Sequence, residues 1–193
     1  KVLVTGGSGF LGSHVADELS NSGHKVTVFD KFKSPYIRLD QEMLVGDILD
    51  SKMLNEAVAG NNIIYHFAWI SDIAEAAESP KKSIEANIIG TLNILEASRS
   101  IGIKRLIFAS SIYVYSNQGS FYRTSKQTCE RLIENYNEIY GLDYTVLRFR
   151  SLYGPRADET NTVYSMISSA VSSKEINYNG TGKETREYIH VKD

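Results

Sequence analysis

Short runs of β-branched and other apolar residues alternate with longer stretches of helical periodicity over the first 150 residues. The strand-like runs are Lys1 to Thr5, His24 to Asp30, Asn62 to Phe67, Arg105 to Ser110 and Asp143 to Phe149, with a further short one before Gly46. After Pro80, the residues Ile84, Ile88, Leu92 and Leu95 recur every three or four positions, which predicts that they share one helix face. Strands alternating with helices predict βαβ units, and hence an α/β fold with a doubly wound parallel sheet covered on both sides. The unbroken apolar run Leu106-Ile107-Phe108 suits a strand buried on both faces. From Tyr153 the pattern changes. A turn is predicted at Gly154-Pro155 and a helix from Asn161 to Ser172. Strand-like pieces follow at Glu175 to Tyr178 and Glu187 to Val191, around a turn at Gly180-Thr181-Gly182. The expected division is a main domain over 1–152 and the start of a smaller, incomplete region over 153–193.

Charge narrows the range of partners. Among 193 residues, 23 acidic side chains face 21 basic ones, a formal charge of -2 that argues against coating nucleic acid or an anionic membrane. Apolar runs such as Val2-Leu3-Val4 are far too short to span a bilayer. The lone Cys129 cannot form an internal disulfide, and His14, His24, His66 and His190 are scattered without ligand-like spacing, so no metal is expected. The chain opens directly on Lys1 and an apolar strand with no signal-peptide pattern, and a cytoplasmic protein is expected.

The first chemical signal is Val2-Leu3-Val4-Thr5-Gly6-Gly7-Ser8-Gly9-Phe10-Leu11-Gly12-Ser13-His14, a strand running through spaced glycines into a helix. Gly6 would allow the tight turn, Gly9 the approach of a pyrophosphate to the backbone, and Gly12 the close packing of helix on sheet. The N–H groups of Phe10 and Leu11 would then point at phosphates from a helix N-terminus. Asp30 ends the next strand 18 residues beyond Gly12, near the spacing of a ribose-binding acid. Its carboxylate suits a free ribose 2'-OH and repels a 2'-phosphate, which favours NAD over NADP, although Lys31 and Lys33 follow at once. Equally, Asp30 is a residue type that caps turns at strand ends. Gly46-Asp47-Ile48 follows the third strand, either to reach the adenine or as an ordinary Gly-Asp turn.

The second signal begins where the strand from Arg105 ends in Ser110-Ser111, followed by Tyr122-Arg123-Thr124-Ser125-Lys126 at the head of a helix to about Tyr140. Residues four apart lie on one helix face, roughly 5–6 Å between Cβ atoms. The Lys126 ammonium can therefore stabilise a Tyr122 phenolate. Bringing a phenol from a pKa near 10 to neutrality needs roughly 4 kcal/mol of preferential stabilisation. Ser111 would hold the substrate oxygen. Tyr188 and Lys192 repeat the spacing in a strand-like stretch, where four residues span roughly 13 Å and cannot act as one unit.

Together these residues resemble the extended short-chain dehydrogenase/reductases, within the NAD-dependent sugar epimerase/dehydratase group. The resemblance covers essentially the whole chain. It rests on Thr5 to Gly12, Asp47-Ile48, His66-Phe67-Ala68, Asn87-Ile88-Ile89-Gly90-Thr91-Leu92-Asn93-Ile94-Leu95-Glu96-Ala97, Ser110-Ser111 and Tyr122 to Lys126. Tyr153-Gly154-Pro155-Arg156 and Gly182 through Arg186 to Asp193 complete it. It implies a Rossmann-type NAD-binding domain followed by a substrate-binding region. Phe67, Ala68 and Trp69 would line the cofactor cleft, Asn87 would brace the site, and Lys126 would also bind the nicotinamide ribose. Arg186 would contact the nucleotide diphosphate of the sugar, with Asn161 and Tyr178 as further substrate contacts. Phe67 and Trp69 are alternatively core aromatics, and Arg186 a partner of Glu184 or Glu187.

The resemblance further implies a nucleotide-sugar substrate, a UDP-sugar, and a homodimer formed through the helices after Pro80 and Tyr122. Within the group the chain leans toward 4-epimerases acting on UDP-hexoses. Dehydratases of the group carry an Asp-Glu pair where Ile112-Tyr113 stands here. A dehydratase or reductase, or a non-catalytic NAD-binding regulator, are the alternatives. Three features depart from the group's pattern: a short Ser111-to-Tyr122 connection, a short stretch after Asp30, and Ser151 where asparagine is common.

Overall fold

A computed structural model describes residues 1–70, 73–176 and 180–193. The chain divides into two compact units, Lys1–Arg148 and Phe149–Asp193. In the first, the apolar runs form β1 (Val2–Thr5), β2 (Val26–Asp30), β3 (Glu42–Val45), β4 (Ile63–His66), β5 (Arg105–Ser111) and β6 (Asp143–Phe149). They make a six-stranded sheet in the order β3-β2-β1-β4-β5-β6. The pairs β1–β2, β1–β4, β2–β3 and β4–β5 run parallel, so the carboxyl ends of these strands lie along one edge. The order reverses between β1 and β4, which is where a doubly wound sheet opens a crevice for a ligand.

Helices α1 (Phe10–Asn21), α2 (Ser51–Val58), α3 (Ile73–Glu78), α4 (Pro80–Ile84), α5 (Gly90–Ile101) and α6 (Ser120–Tyr140) connect the strands. Two apolar clusters form. The larger contains Leu3, Phe29, Leu54, Ile64, Leu95, Leu106, Phe108 and Ile133, and the smaller contains Val2, Val4, Ala16, Val26 and Val28. Burying each of the Leu, Ile, Val and Phe side chains contributes roughly 1.5–3 kcal/mol.

The segment after Pro80 departs from the helix face expected of it. Between α4 and α5 lies a π-helical stretch, Glu85–Ile89. Of the four expected inward residues, Leu95 is buried, Ile88 and Leu92 are half-buried, and Ile84 is 39% exposed. The residues that face inward are Ser83, Asn87 and Thr91, all fully buried. Wider i→i+5 turns shift the phase of everything downstream, so a regular helical period misplaces the stripe.

The second unit contains β7 (Ser151–Tyr153), α7 (Thr162–Ser173) and β8 (Tyr188–His190), with β7 and β8 paired in parallel. Glu175 and Ile176 are not in a strand, and the rest of that expected strand, including Tyr178, lies outside the described residues. No helix among the described residues is long and apolar enough to cross a membrane, and none of their His, Cys, Asp and Glu side chains cluster as a metal site.

Candidate active site

The glycine turn is built as its spacing predicts. Gly6 has φ +72, and a Cβ there would stand 2.4 Å from the carbonyl carbon of Phe67. A Cβ on Gly12 would lie 2.2 Å from the Gly6 oxygen, so neither position accepts a side chain without moving backbone. Gly9 differs. A Cβ there meets nothing nearer than the Gly6 oxygen at 3.5 Å, so the fold itself has room for one. The space kept clear at Gly9 adjoins the N-terminus of α1, whose first bond runs from Ser13 N to Gly9 O. The preceding N–H groups of Phe10, Leu11 and Gly12 therefore lie outside the intrahelical ladder, with no acidic residue in the first turn. Such an end suits an anion such as a pyrophosphate.

Asp30 is tied to this turn. Its Oδ2 accepts from Ser8 N at 3.0 Å and its Oδ1 from Phe32 N at 3.1 Å, which sets the carboxylate at the mouth of the crevice. Lys31 is turned to Asp47, with Nζ 2.9 Å from Oδ2, and Asp47 also accepts from Leu49 N. Burial pushes the Asp47 carboxyl up, but these hydrogen bonds outweigh it and hold it below its ordinary value. Ile48 belongs to the core at 8% exposure, and its carbonyl accepts from Asn93 Nδ2. The donor set thus fits a dinucleotide whose phosphates meet α1 and whose adenosine meets Asp30 and the Asp47 turn.

Across the crevice, β4 runs on into Phe67, Ala68 and Trp69. Phe67 N donates to Thr5 O at 2.9 Å, which fastens this segment to the end of β1. Asn87 fixes its other end: Oδ1 accepts from Ile70 N at 2.9 Å and Nδ2 donates to Ile70 O at 3.3 Å. The amide expected to brace the site thus acts on backbone from a fully buried position. His66 lies beneath, its ring nitrogens bonded to Thr5 Oγ1 and Thr91 Oγ1. Burial, then the nearby Lys126 charge, push its pKa down to about 3, so it is a neutral bridge between strand and helix.

Ser111, Tyr122 and Lys126 meet at the end of β5. A 3-10 turn, Ile112–Tyr115, and Gly119 with φ +95 lead directly into α6, so the short connection still brings Ser111, whose Oγ accepts from Tyr113 N, near enough to Tyr122 to favour its charged form. Lys126 is 3% exposed and its Nζ donates to the Ala109 carbonyl. Nζ also sits 3.3 Å from the centroid of the Trp69 ring, 4.8 Å from that of Phe108 and 5.7 Å from that of Tyr122. Burial pushes Lys126 down to about 7, with Cys129 and Glu130 pulling the other way. The phenol of Tyr122 departs from expectation. Burial raises it above its ordinary value, Ser111 pulls against that and Tyr113 adds to it. The ammonium donates to Ala109 O and lies over the Trp69 face, with the centre of the Tyr122 ring 5.7 Å away.

Glu130, one turn beyond Lys126, accepts from Ser110 Oγ at 2.5 Å and from both arms of Arg148. Arg148 Nη1 reaches Tyr115 Oη at 2.5 Å. This network links the serine-bearing strand end, the Tyr-Lys helix and β6. Sequence reading missed it, although the four-residue step from Lys126 to a second charged side chain was visible.

In the second unit, Arg186 lines a cleft of about 620 Å³ with Glu159, Thr162, Met166, Glu184 and Tyr188. Glu187 pairs with Arg150 at 2.7 Å. Asn161 is employed as the cap of α7: its Oδ1 accepts from Val163 N and Tyr164 N, and its Nδ2 donates to Leu152 O. Tyr188 lies in β8, which keeps it from forming a helical pair with Lys192.

Comparison with known proteins points the same way. Residues 2–193 match the family described as NAD dependent epimerase/dehydratase. The chain is 33% identical to the UDP-N-acetyl-alpha-D-glucosaminuronate decarboxylase of Bacillus cytotoxicus, with all of this chain and 68% of that protein covered. It is 31% identical to a putative UDP-glucose 4-epimerase of Methanocaldococcus jannaschii, covering all of this chain and 70% of that one. Among solved structures, the UDP-glucose 4-epimerase of Thermotoga maritima with UDP-glucose matches with a TM-score of 0.94 at 30% identity, over 99% of this chain and 69% of that one.

Proposed function

The chain belongs to the NAD dependent epimerase/dehydratase family, and from that premise we propose that it is a UDP-hexose 4-epimerase. Its cofactor is NAD, held by the glycine turn, Asp30 and the Phe67–Trp69 segment. The observation that carries the reading is the junction of Ser111, Tyr122 and Lys126 at the same sheet edge as that turn.

When bound, NAD supplies the acceptor and returning donor of a hydride at C4 of the sugar. Ser111 orients the sugar 4-hydroxyl through its Oγ, beside Tyr122. Tyr122 Oη takes the hydroxyl proton as the 4-keto sugar forms, keeps it through the oxidised interval, and gives it back. Net inversion requires that the keto sugar present its other face before Tyr122 returns the proton. Burial alone keeps the phenol protonated near neutral pH, so its basicity depends on neighbouring positive charge. Lys126 is the chain's own source of that charge. Ile112 and Tyr113, directly after Ser111, carry no carboxylate for an elimination, which favours epimerisation over dehydration. Arg186 is the residue for the sugar diphosphate, and a homodimer through α4 to α6 belongs to the same reading.

A coupled assay of UDP-glucose and UDP-galactose interconversion tests this. Turnover without net NADH is expected, and no turnover of any UDP-hexose or UDP-N-acetylhexosamine overturns it. A second reading follows from the identity of 33% to a decarboxylase. C4 oxidation of a UDP-hexuronate gives a β-keto acid, which loses carbon dioxide. Carbon dioxide release from UDP-glucuronate would select that reading.

A further inference from the structure

Lys126 is a buried cation whose surroundings differ from an ordinary buried ion pair. Its nearest carboxylate, Glu130, is committed to Ser110 and Arg148. The ammonium instead donates to one backbone carbonyl, that of Ala109, and lies against the face of Trp69 at 3.3 Å. That contact is well inside the reach of a cation–π interaction, which is strongest for tryptophan and strengthens when water is excluded.

The indole is seated to offer its face. It meets Phe108 at 5.6 Å and 68° and Tyr122 at 6.5 Å and 88°, both edge-to-face arrangements. Its Nε1 is buried with no hydrogen-bond partner among the described residues. A tryptophan placed for its N–H would have that group satisfied; this one gives it up while its ring covers the ammonium. The Asn87 clasp on Ile70 holds the backbone next to it. We propose that Trp69 is a positioning residue: its indole face holds the Lys126 ammonium in place beside Tyr122. This rests on the reading of Tyr122 and Lys126 as the catalytic pair, and adds to it what holds the buried ammonium there.

Among the described residues, Tyr122, Cys129 and Glu130 face Lys126 from α6 and His66 from β4, with Arg148 of β6 behind Glu130 and Tyr113 behind Tyr122. Tyr122 is held above its ordinary value and His66 down at about 3, so neither titrates with Lys126.

The test reads the Lys126 protonation midpoint by NMR of protein labelled with ¹³C at the lysine Cε, the resonance being assigned by its loss in Lys126→Met. Trp69→Leu is expected to lower the midpoint by about one pH unit, and Trp69→Phe by less than half of that. An unmoved midpoint in Trp69→Leu overturns the inference, as does an equal shift in both variants. A second arm uses the fact that Trp69 is the single tryptophan. Its emission should step once between about pH 5 and pH 9 in the wild type and not in Lys126→Met. Absence of the step in the wild type, or its survival in Lys126→Met, overturns the inference even where Trp69→Leu does not fold. Neither arm uses turnover, so failure of the epimerase reading is scored separately.

Discussion

Glu130 and Arg148 form a two-pronged ion pair, with Nε 3.0 Å from Oε1 and Nη2 2.8 Å from Oε2, directly behind the serine-bearing end of β5. The Glu130 side chain is 10% exposed, so removing Arg148 strands a nearly buried charge, whereas the arginine side chain itself is 38% exposed and partly screened. Arg148→Met should lower stability by about 1–3 kcal/mol, less than for a fully buried pair. Burial pushes the Glu130 carboxyl up, but Arg148 and Ser110 outweigh it and hold it below its ordinary value. The unfolded state therefore binds the proton more readily, and the stabilisation is lost as pH falls below about 4.3 toward the folded value. Urea unfolding of both proteins should show the difference narrowing in that range.

Gly9 and Gly12 should separate binding from folding. Alanine at Gly12 drives a Cβ to 2.2 Å from the Gly6 oxygen and should cost at least about 1–3 kcal/mol of stability. Alanine at Gly9, where φ is -80, should leave stability within about 0.5 kcal/mol. It should nevertheless weaken NAD binding about tenfold or more by filling the phosphate approach. Calorimetric titration with NAD, set beside urea unfolding, distinguishes the two.

Tyr122→Phe should lower kcat by about 10²–10⁴ while NAD affinity changes little. Lys126→Met should also be nearly inactive, yet more stable than the wild type. Burial, the dominant influence on Lys126, depresses its folded value to about 7. The unfolded lysine holds its proton to about pH 10.4, so wild-type stability rises between these values and the penalty is full below about 7. The variant should gain roughly 1–3 kcal/mol at neutral pH, with the gain shrinking toward pH 10 in thermal or urea unfolding.

His66 has the same sign at lower pH. It is neutral when folded, with a value of about 3 set chiefly by burial. The unfolded imidazole takes a proton below about pH 6.5, so stability should fall by about 1.4 kcal/mol per pH unit from there toward pH 3. His66→Gln should start less stable but lose less on acidification, which equilibrium unfolding at several pH values checks.

The strands, their parallel pairing and the glycine turn were legible because each follows from local rules: apolar runs, positive φ and close backbone approach. Ser111, Tyr122 and Lys126 were legible from spacing along one strand end and one helix. What escaped depends on packing between distant segments. No periodic rule anticipates the π-helical stretch that turns Ile84 outward and Asn87 inward. The direction of the Lys126 ammonium is decided by Trp69, 57 positions earlier, and the fate of Glu130 by Arg148 on another strand. The role of Asn161 as the cap of α7 likewise depends on where that helix begins.

The grip of Asn87 on both polar groups of Ile70 makes that residue a fixed anchor for the wall of the crevice. With donor and acceptor both held, the peptide there cannot swing, and the main chain of Trp69 beside it starts from a set direction. A tilt of that indole would therefore need Asn87 to let go first.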